Sequence, residues 1–334
     1  LIIATKVIDY SGSSTPDVTY GYDNNGNLLT LNAGAVNHTY HYNNQNLLED
    51  ETLTIGTEKS LHVGYGYSHL MHQAFVAYPD GTTVFNAPNG FGQATKSVQQ
   101  EGLNVVQAFA TGASYHANGQ LLAFTYGNGL KHTKTLHPHS LLPQNIKDAE
   151  DVTQIGLGLG LSFNYEKVDL TYSYDAKGNV TSIINGVDNT FSISHMSYDG
   201  LDRLTFVSAN SGIGNSSLSY DAIGNIKTYS SKGRHLTYSY ANNRLTQVSD
   251  SIGDGDYSSF SYDTRGNVTH NSKHSFSYNL ANQMTSSGST NYEYDGYNRR
   301  IKKSGASTEY SMYTQSGRLI YRETDVINGQ GNQV

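Results

Sequence analysis

Tyr174-Asp175-Ala176-Lys177-Gly178-Asn179-Val180-Thr181 is the stretch whose reading decides the fold, because the chain restates it again and again. The phrase is Tyr-Asp, two variable residues, Gly-Asn and an aliphatic residue, often followed by Thr. It recurs from Tyr22 to Leu28, from Tyr220 to Ile226 and from Tyr262 to Thr269. Tyr198-Asp199 and Tyr294-Asp295 begin copies that carry Arg203 and Arg299 where the strict copies carry Asn. Tyr42-Asn43 and Tyr278-Asn279 begin copies with Asn in place of Asp, and the copy at Tyr240 is one residue short. Internal repetition fixes architecture before any single residue fixes chemistry. From residue 174 the leading tyrosines fall at 174, 198, 220, 240, 262, 278 and 294, a drifting spacing that suits hairpins with variable loops better than a rigid coil.

Each unit reads as strand, tight turn, strand. Tyr20-Gly21-Tyr22, Tyr172-Ser173-Tyr174, Tyr238-Ser239-Tyr240, Phe276-Ser277-Tyr278 and Tyr292-Glu293-Tyr294 place aromatics at every second residue, the period of a strand with two unlike faces. Asp suits the first corner of a turn, where its carboxylate accepts a backbone N–H two residues on. Gly three residues later supplies a positive φ at little steric cost. Helical periodicity is almost absent, and about half the chain is expected in strands of roughly 5–6 residues.

Composition narrows the function. The chain has 334 residues, no Cys and no Trp, but 27 Tyr, whose rings can pack a sheet that lacks a thick aliphatic core. Net charge is −7, which argues against a nucleic-acid track. The basic cluster Arg299, Arg300, Lys302 and Lys303 reads as a solvated strand edge. No run of 18 apolar residues suggests a membrane-spanning helix. Without Cys there are neither disulfides nor thiolate metal sites. The chain opens without Met and closes on a polar tail, and is expected to be a segment of a longer protein.

The organisation expected is Tyr-Asp repeats over 1–50, degenerate repeats over 51–171, a well-formed array over 172–321 and a tail over 322–334. Within the degenerate part, Pro79-Asp80-Gly81 and Pro88-Asn89-Gly90 read as hairpin turns, and 136–151 as an irregular loop. Ser249–Ser259 reads as an extended hairpin loop.

These repeats, with the Tyr126-Gly127-Asn128-Gly129 strand end, resemble the Rhs or YD-repeat family: bacterial polymorphic toxins, C components of insecticidal toxin complexes, and teneurins. The resemblance spans nearly the whole chain and is strongest from 172 to 321. It implies an all-β array of antiparallel hairpins forming a curved, spiralling sheet or part of a hollow shell. It also implies a C-terminal toxin or passenger of the same polypeptide as partner, enclosed until delivery, and a secreted or cell-surface bacterial protein. The family's self-cleaving aspartate site lies after the repeats, and no match to it precedes Val334.

Local chemistry is sparse. The repeat aspartates Asp23, Asp175, Asp199, Asp221, Asp263 and Asp295 are each explained by a turn. His69 and His72, and His137 and His139, are candidate metal or cleft residues, with ordinary structural histidines favoured. Asp250, Asp254 and Asp256 miss the spacing of a twelve-residue calcium loop, leaving an acidic solvated loop. Gly156-Leu157-Gly158-Leu159-Gly160 lacks dinucleotide spacing. Asn179-Val180-Thr181 and Asn267-Val268-Thr269 match a glycosylation acceptor, but the repeat generates that pattern itself. The expectation is therefore no catalytic, cofactor or metal residue, and a non-catalytic shell segment. The alternative is an adhesive module binding cell-surface glycans through aromatic rows. An enzyme acting on polysaccharide from the 51–170 region ranks third.

Overall fold

The alternating aromatics become strands throughout, and a single 3-10 turn at Asn189–Phe191 is the only helix among the described residues. A computed structural model describes residues 2, 4–10, 13–102, 104–150, 166–253 and 256–325. Two units emerge, one joining Leu1–Phe85 to Ser259–Val334 and the other Asn86–Ser258. These bounds cut across the divisions of repeat quality, because packing joins the first repeats to the last ones. The all-β hairpin array is the observed fold: within each unit, strands pair antiparallel with their sequence neighbours.

Every well-formed unit carries the same irregularity. Ser173 pairs with Ser182, then Tyr174 with Val180, so the ladder skips Thr181. The same skip follows the pairs Gly21↔Thr30, His41↔Asp50, Ser197↔Phe206 and Ser219↔Thr228. The position after the motif's aliphatic residue is thus the bulge, filled by Thr181 and Thr205 but also by Leu29, Glu49 and Lys227, and bulges bend the strand and increase its twist. Thr205 turns its hydroxyl back to the carbonyl of Ser197.

In the second unit the two sheet faces differ in chemistry. Tyr172↔Ile183, Met196↔Val207, Leu218↔Tyr229 and Tyr238↔Val248 line one face, and Ser173↔Ser182, Ser217↔Ser230 and Thr228↔Thr237 the other. Gly127, in the Tyr-Gly-Asn-Gly stretch, allows a close crossing: a Cβ there would stand 1.8 Å from the carbonyl oxygen of Ala108.

In the first unit two sheets pack face to face. Val36, Leu53, Ile55, Leu61, Val63 and Val76 from the N-terminal strands form one core with Ile301, Tyr310 and Met312 from the C-terminal strands. A second core gathers Val18, Leu28, Leu31, Ala33 and Tyr40, with Tyr297 packed on it. The turn Asp295–Arg299 is pressed into that face. A Cβ at Gly296 would stand 2.6 Å from Leu31 Cδ1, so glycine permits the approach, and Tyr20 donates its hydroxyl to the Gly296 carbonyl at 3.1 Å.

Two expectations are corrected. The stretch 136–151 is not an irregular loop: Leu130–Leu136 and Pro143–Glu150 are paired strands, and the loop is confined to 137–142. Pro143 opens its strand, where a missing N–H is tolerated, and pairing on both edges, also to Glu166–Tyr174, outweighs weak local propensity. Nor is the basic cluster a solvated edge. Lys302 is buried, pairing with Glu58 at 2.5 Å and Glu293 at 2.9 Å. Arg299 is mostly buried as well, against Asp295, while Arg300 and Lys303 stay exposed. Placing acidic partners on two different elements lets the sheet bury a lysine that composition alone assigns to solvent.

Candidate functional site

Turn chemistry follows the sequence reading and then extends past it. Asp175 Oδ1 accepts the backbone N–H groups of Lys177 and Asn179, both at 2.9 Å. Gly178 takes a φ of +91°, and Gly26, Gly224 and Gly266 are likewise left-handed. In the looser copies Asn46, Asp202, Asn282 and Asn298 occupy that left-handed slot, the non-glycine residues that tolerate it best.

The motif's Asn holds neighbouring units together. Asn179 Nδ2 donates to its own Asp175 Oδ2 at 3.0 Å and to Asp202 Oδ1 of the next turn at 3.1 Å. Asn27 reaches Asn46, Asn225 reaches Asn243 and Asn267 reaches Asn282 in the same way. The Arg copies keep the function with a longer arm: Arg203 pairs with Asp199 at 2.7 Å, reaches the Asp221 carbonyl, and lies 4.5 Å over the Tyr220 ring.

The leading Tyr supplies a second latch. Tyr198, Tyr220 and Tyr240 donate to the carbonyls of Val180, Leu204 and Ile226, each the aliphatic residue of the preceding unit, at 2.7, 2.8 and 3.0 Å. Tyr67 and Tyr294 do the same to Leu48 and Met284. Burial pushes the phenols of Tyr174, Tyr198 and Tyr294 up, as expected of rings packed between hairpins. Each such hydrogen bond contributes about 1 kcal/mol, and repetition makes the sum a property of the wall.

The turn carboxylates are held low. The Asn267 side-chain amide, then backbone N–H groups, bring Asp263 down to about 2, and the Asn27 and Asn179 amides act alike on Asp23 and Asp175. A depressed folded-state value means stability that is present above the ordinary carboxylate range and lost as pH falls through the folded value. The array is therefore expected to lose stability progressively between about pH 4 and pH 2. Asn43 shows that Asn fits the same corner, accepting from Gln45 and Leu47. Asp263→Asn should thus stay folded while its acid loss becomes shallower, as followed by circular dichroism; an unchanged acid limb would count against the turn carboxylates.

A group of buried ionisable side chains lies in the first unit, on strands and a turn beside the copies that begin at Tyr42 and Tyr294. His38, Glu51 and Asp295 are fully buried. His38 Nε2 lies 3.1 Å from Asp295 Oδ2, which also faces Arg299 Nε at 3.3 Å, while Asp295 Oδ1 accepts the N–H groups of Tyr297 and Arg299. Tyr65 donates its hydroxyl to Glu51 Oε1. Burial pushes the Glu51 carboxyl up, an effect that the Tyr65 hydroxyl partly offsets. His38 stacks on Tyr40 with ring centroids 5.9 Å apart.

The sequence candidates land elsewhere and do not converge. His69 and His72 sit in the turn following Lys59–Tyr67, with Ser68 N–H bonded to the His72 carbonyl and Met71 left-handed. His137 and His139 line an open depression of about 780 Å³ with Tyr172, Tyr174 and Asp175, but His137 Nδ1 is taken by Ser140. Asp250 is no member of a solvated loop: it is buried and paired with Arg234 at 2.5 Å, since it ends a strand that faces inward. Asp254 and Gly156–Gly160 lie outside the described residues. Among the described residues no three His, Cys, Asp or Glu side chains are grouped to hold a metal ion, and no helix is long and apolar enough to cross a membrane.

Turn, bulge, Tyr latch and Asn latch together define a wall built from Tyr-Asp hairpins. The chain belongs to the teneurin YD-shell family, whose model it matches over residues 112–326, and that family's character is structural. No curated protein matches the chain. Its fold is similar to that of the Photorhabdus luminescens Tc holotoxin pore carrying a TccC3 mutation, at 15% identity and a TM-score of 0.61, covering 94% of this chain and 21% of that one. It is similar also to TcdB2-TccC3, at 15% identity and a TM-score of 0.61, covering 98% and 19%. The chain thus spans about a fifth of the length of these proteins.

Proposed function

We propose that this chain is a non-catalytic wall segment of an exported YD shell that encloses and protects a C-terminal toxin or passenger of its own polypeptide. The carrying observation is the doubled latch, Tyr hydroxyl to carbonyl and Asn or Arg to the next turn, which makes successive hairpins a continuous barrier. Two of the similar structures contain TccC3, together with TcdB2 or within a holotoxin pore, which supports a toxin as the passenger. Bonding of the tyrosine hydroxyls to neighbouring backbone favours packing over sugar stacking as the use of the aromatic rows.

The test is protease protection of the passenger in the native polypeptide. Enclosed passenger should survive a dose that digests the same passenger expressed alone, and Asn225→Ala with Asn267→Ala should shorten that survival. Equal digestion inside and outside the polypeptide would overturn the proposal. Selective retention of a glycan by the chain, with no passenger protection, would replace it with the adhesive reading.

A further inference from the structure

The seam where the Asp295–Arg299 turn meets the strands Val36–Tyr42 and Leu48–Ile55 contains more polar atoms than it satisfies. His38 Nδ1, Tyr40 Oη and Glu51 Oε2 are all buried and have no hydrogen-bond partner within the protein. Tyr40 and Glu51 are register partners, and His38 pairs with Leu53, so His38 and Glu51 are diagonal neighbours on one face, within reach of long side chains. Native proteins seldom leave such groups unpaired without a chemical reason.

A charge count supplies the reason. Asp295 and Arg299 face each other at 3.3 Å and cancel. His38 and Glu51 together with a single proton are also neutral, whether the proton rests on the imidazole or on the carboxyl. A second proton leaves the buried cluster with one uncompensated positive charge, and removal of the first leaves one negative charge. Either state is penalised in a low-dielectric interior. We infer that His38 and Glu51 form a one-proton binding site that locks the C-terminal turn onto the N-terminal strands, and that the seam loosens when the proton is lost or a second one is taken up.

The other groups around the site fit this assignment. Tyr40 and Tyr65 are phenols that burial pushes far up, so they stay neutral. Tyr297, pushed up to about 12 chiefly by burial, stays neutral as well. Arg318 is exposed and acts on Tyr65 from the rim. Tyr65 itself lines a depression of about 260 Å³ with Gln315 and Arg318. For a carboxyl held above its ordinary range, stability is present while it is protonated and is lost as pH rises through the folded value. This gives the alkaline limb, and the second proton gives the acid limb.

The inference concerns the seam and stands whether or not a passenger is enclosed. It is tested by the melting temperature of the full chain from pH 4.5 to pH 9, with infrared detection of a protonated carboxyl band. Wild type should show a bell, with the band fading along the alkaline limb. Glu51→Gln should abolish the band and flatten the alkaline limb by several degrees, and His38→Gln should flatten the acid limb. Tyr65→Phe, which removes the hydroxyl that favours the carboxylate, should move the alkaline limb to higher pH even where Glu51→Gln folds poorly. An alkaline limb unchanged in both variants, or a buried carboxyl band missing throughout, would overturn the site.

Discussion

Asp295→Ala is expected to cost about 3–5 kcal/mol, because it strands a buried cation beside an imidazole that has lost its acceptor. In the native chain one carboxylate serves four partners. Its Oδ1 accepts two backbone N–H groups of the turn, and its Oδ2 faces His38 and Arg299. The equivalent Asp23 makes the same turn bonds in the same repeat phrase but stands at the surface. Asp23→Ala should therefore produce a much smaller loss. Urea denaturation of both variants measures the contrast, and similar losses would mean that the buried ion pairs contribute nothing beyond the turn.

That contrast also marks how far the sequence could be read. The corner chemistry was legible because it is local: Asp, the left-handed Gly and the aromatic alternation all act within eight residues. The inter-repeat role of Asn179 was not, since it depends on which atom of the next hairpin comes alongside. A signal was nonetheless present, because Asn46, Asp202, Asn243 and Asn282 all carry a side-chain acceptor in the turn that follows an Asn copy. Arg299 and Lys302 misled for the opposite reason. Their charge suggested solvent, whereas partners on distant segments, Glu58 for Lys302, decide the burial of a long cationic side chain.

The buried site was hidden by the regularity of its surroundings. His38 and Asp295 lie in or beside good copies of the phrase, and Glu51 stands at the very start of the broken repeats between 51 and 170. One clue could have been taken from alternation alone. Glu51, Leu53 and Ile55 share a strand face, and the two apolar members are buried. A carboxyl in the third place of an apolar row predicts either an edge or a paired interior site. Only the return of the C-terminal repeats onto these strands decides between them.

That return changes how the first unit should unfold. In a simple repeat array each unit touches only its neighbours, and damage spreads by nearest-neighbour coupling. Here Met312 is fully buried among Val36, Leu53, Leu61 and Val63, more than 240 residues earlier in the chain. Met312→Ala should remove about 2–5 kcal/mol, the cost of a large cavity in a packed core. Its hydrogen-exchange signature should appear in Leu48–Ile55 and Lys59–Tyr67 as strongly as in Thr308–Tyr313 itself. Asn27→Ala, which loosens one latch between adjacent turns of the same unit, should leave Thr308–Tyr313 protected. Were faster exchange after Met312→Ala confined to the last two strands, the unit would behave as a linear array, and the seam would add shape without cooperativity. If it spreads as expected, closure of the last repeats on the first converts locally stitched hairpins into one cooperative body, which a wall under proteolytic attack requires because the weakest local opening sets its rate of cleavage.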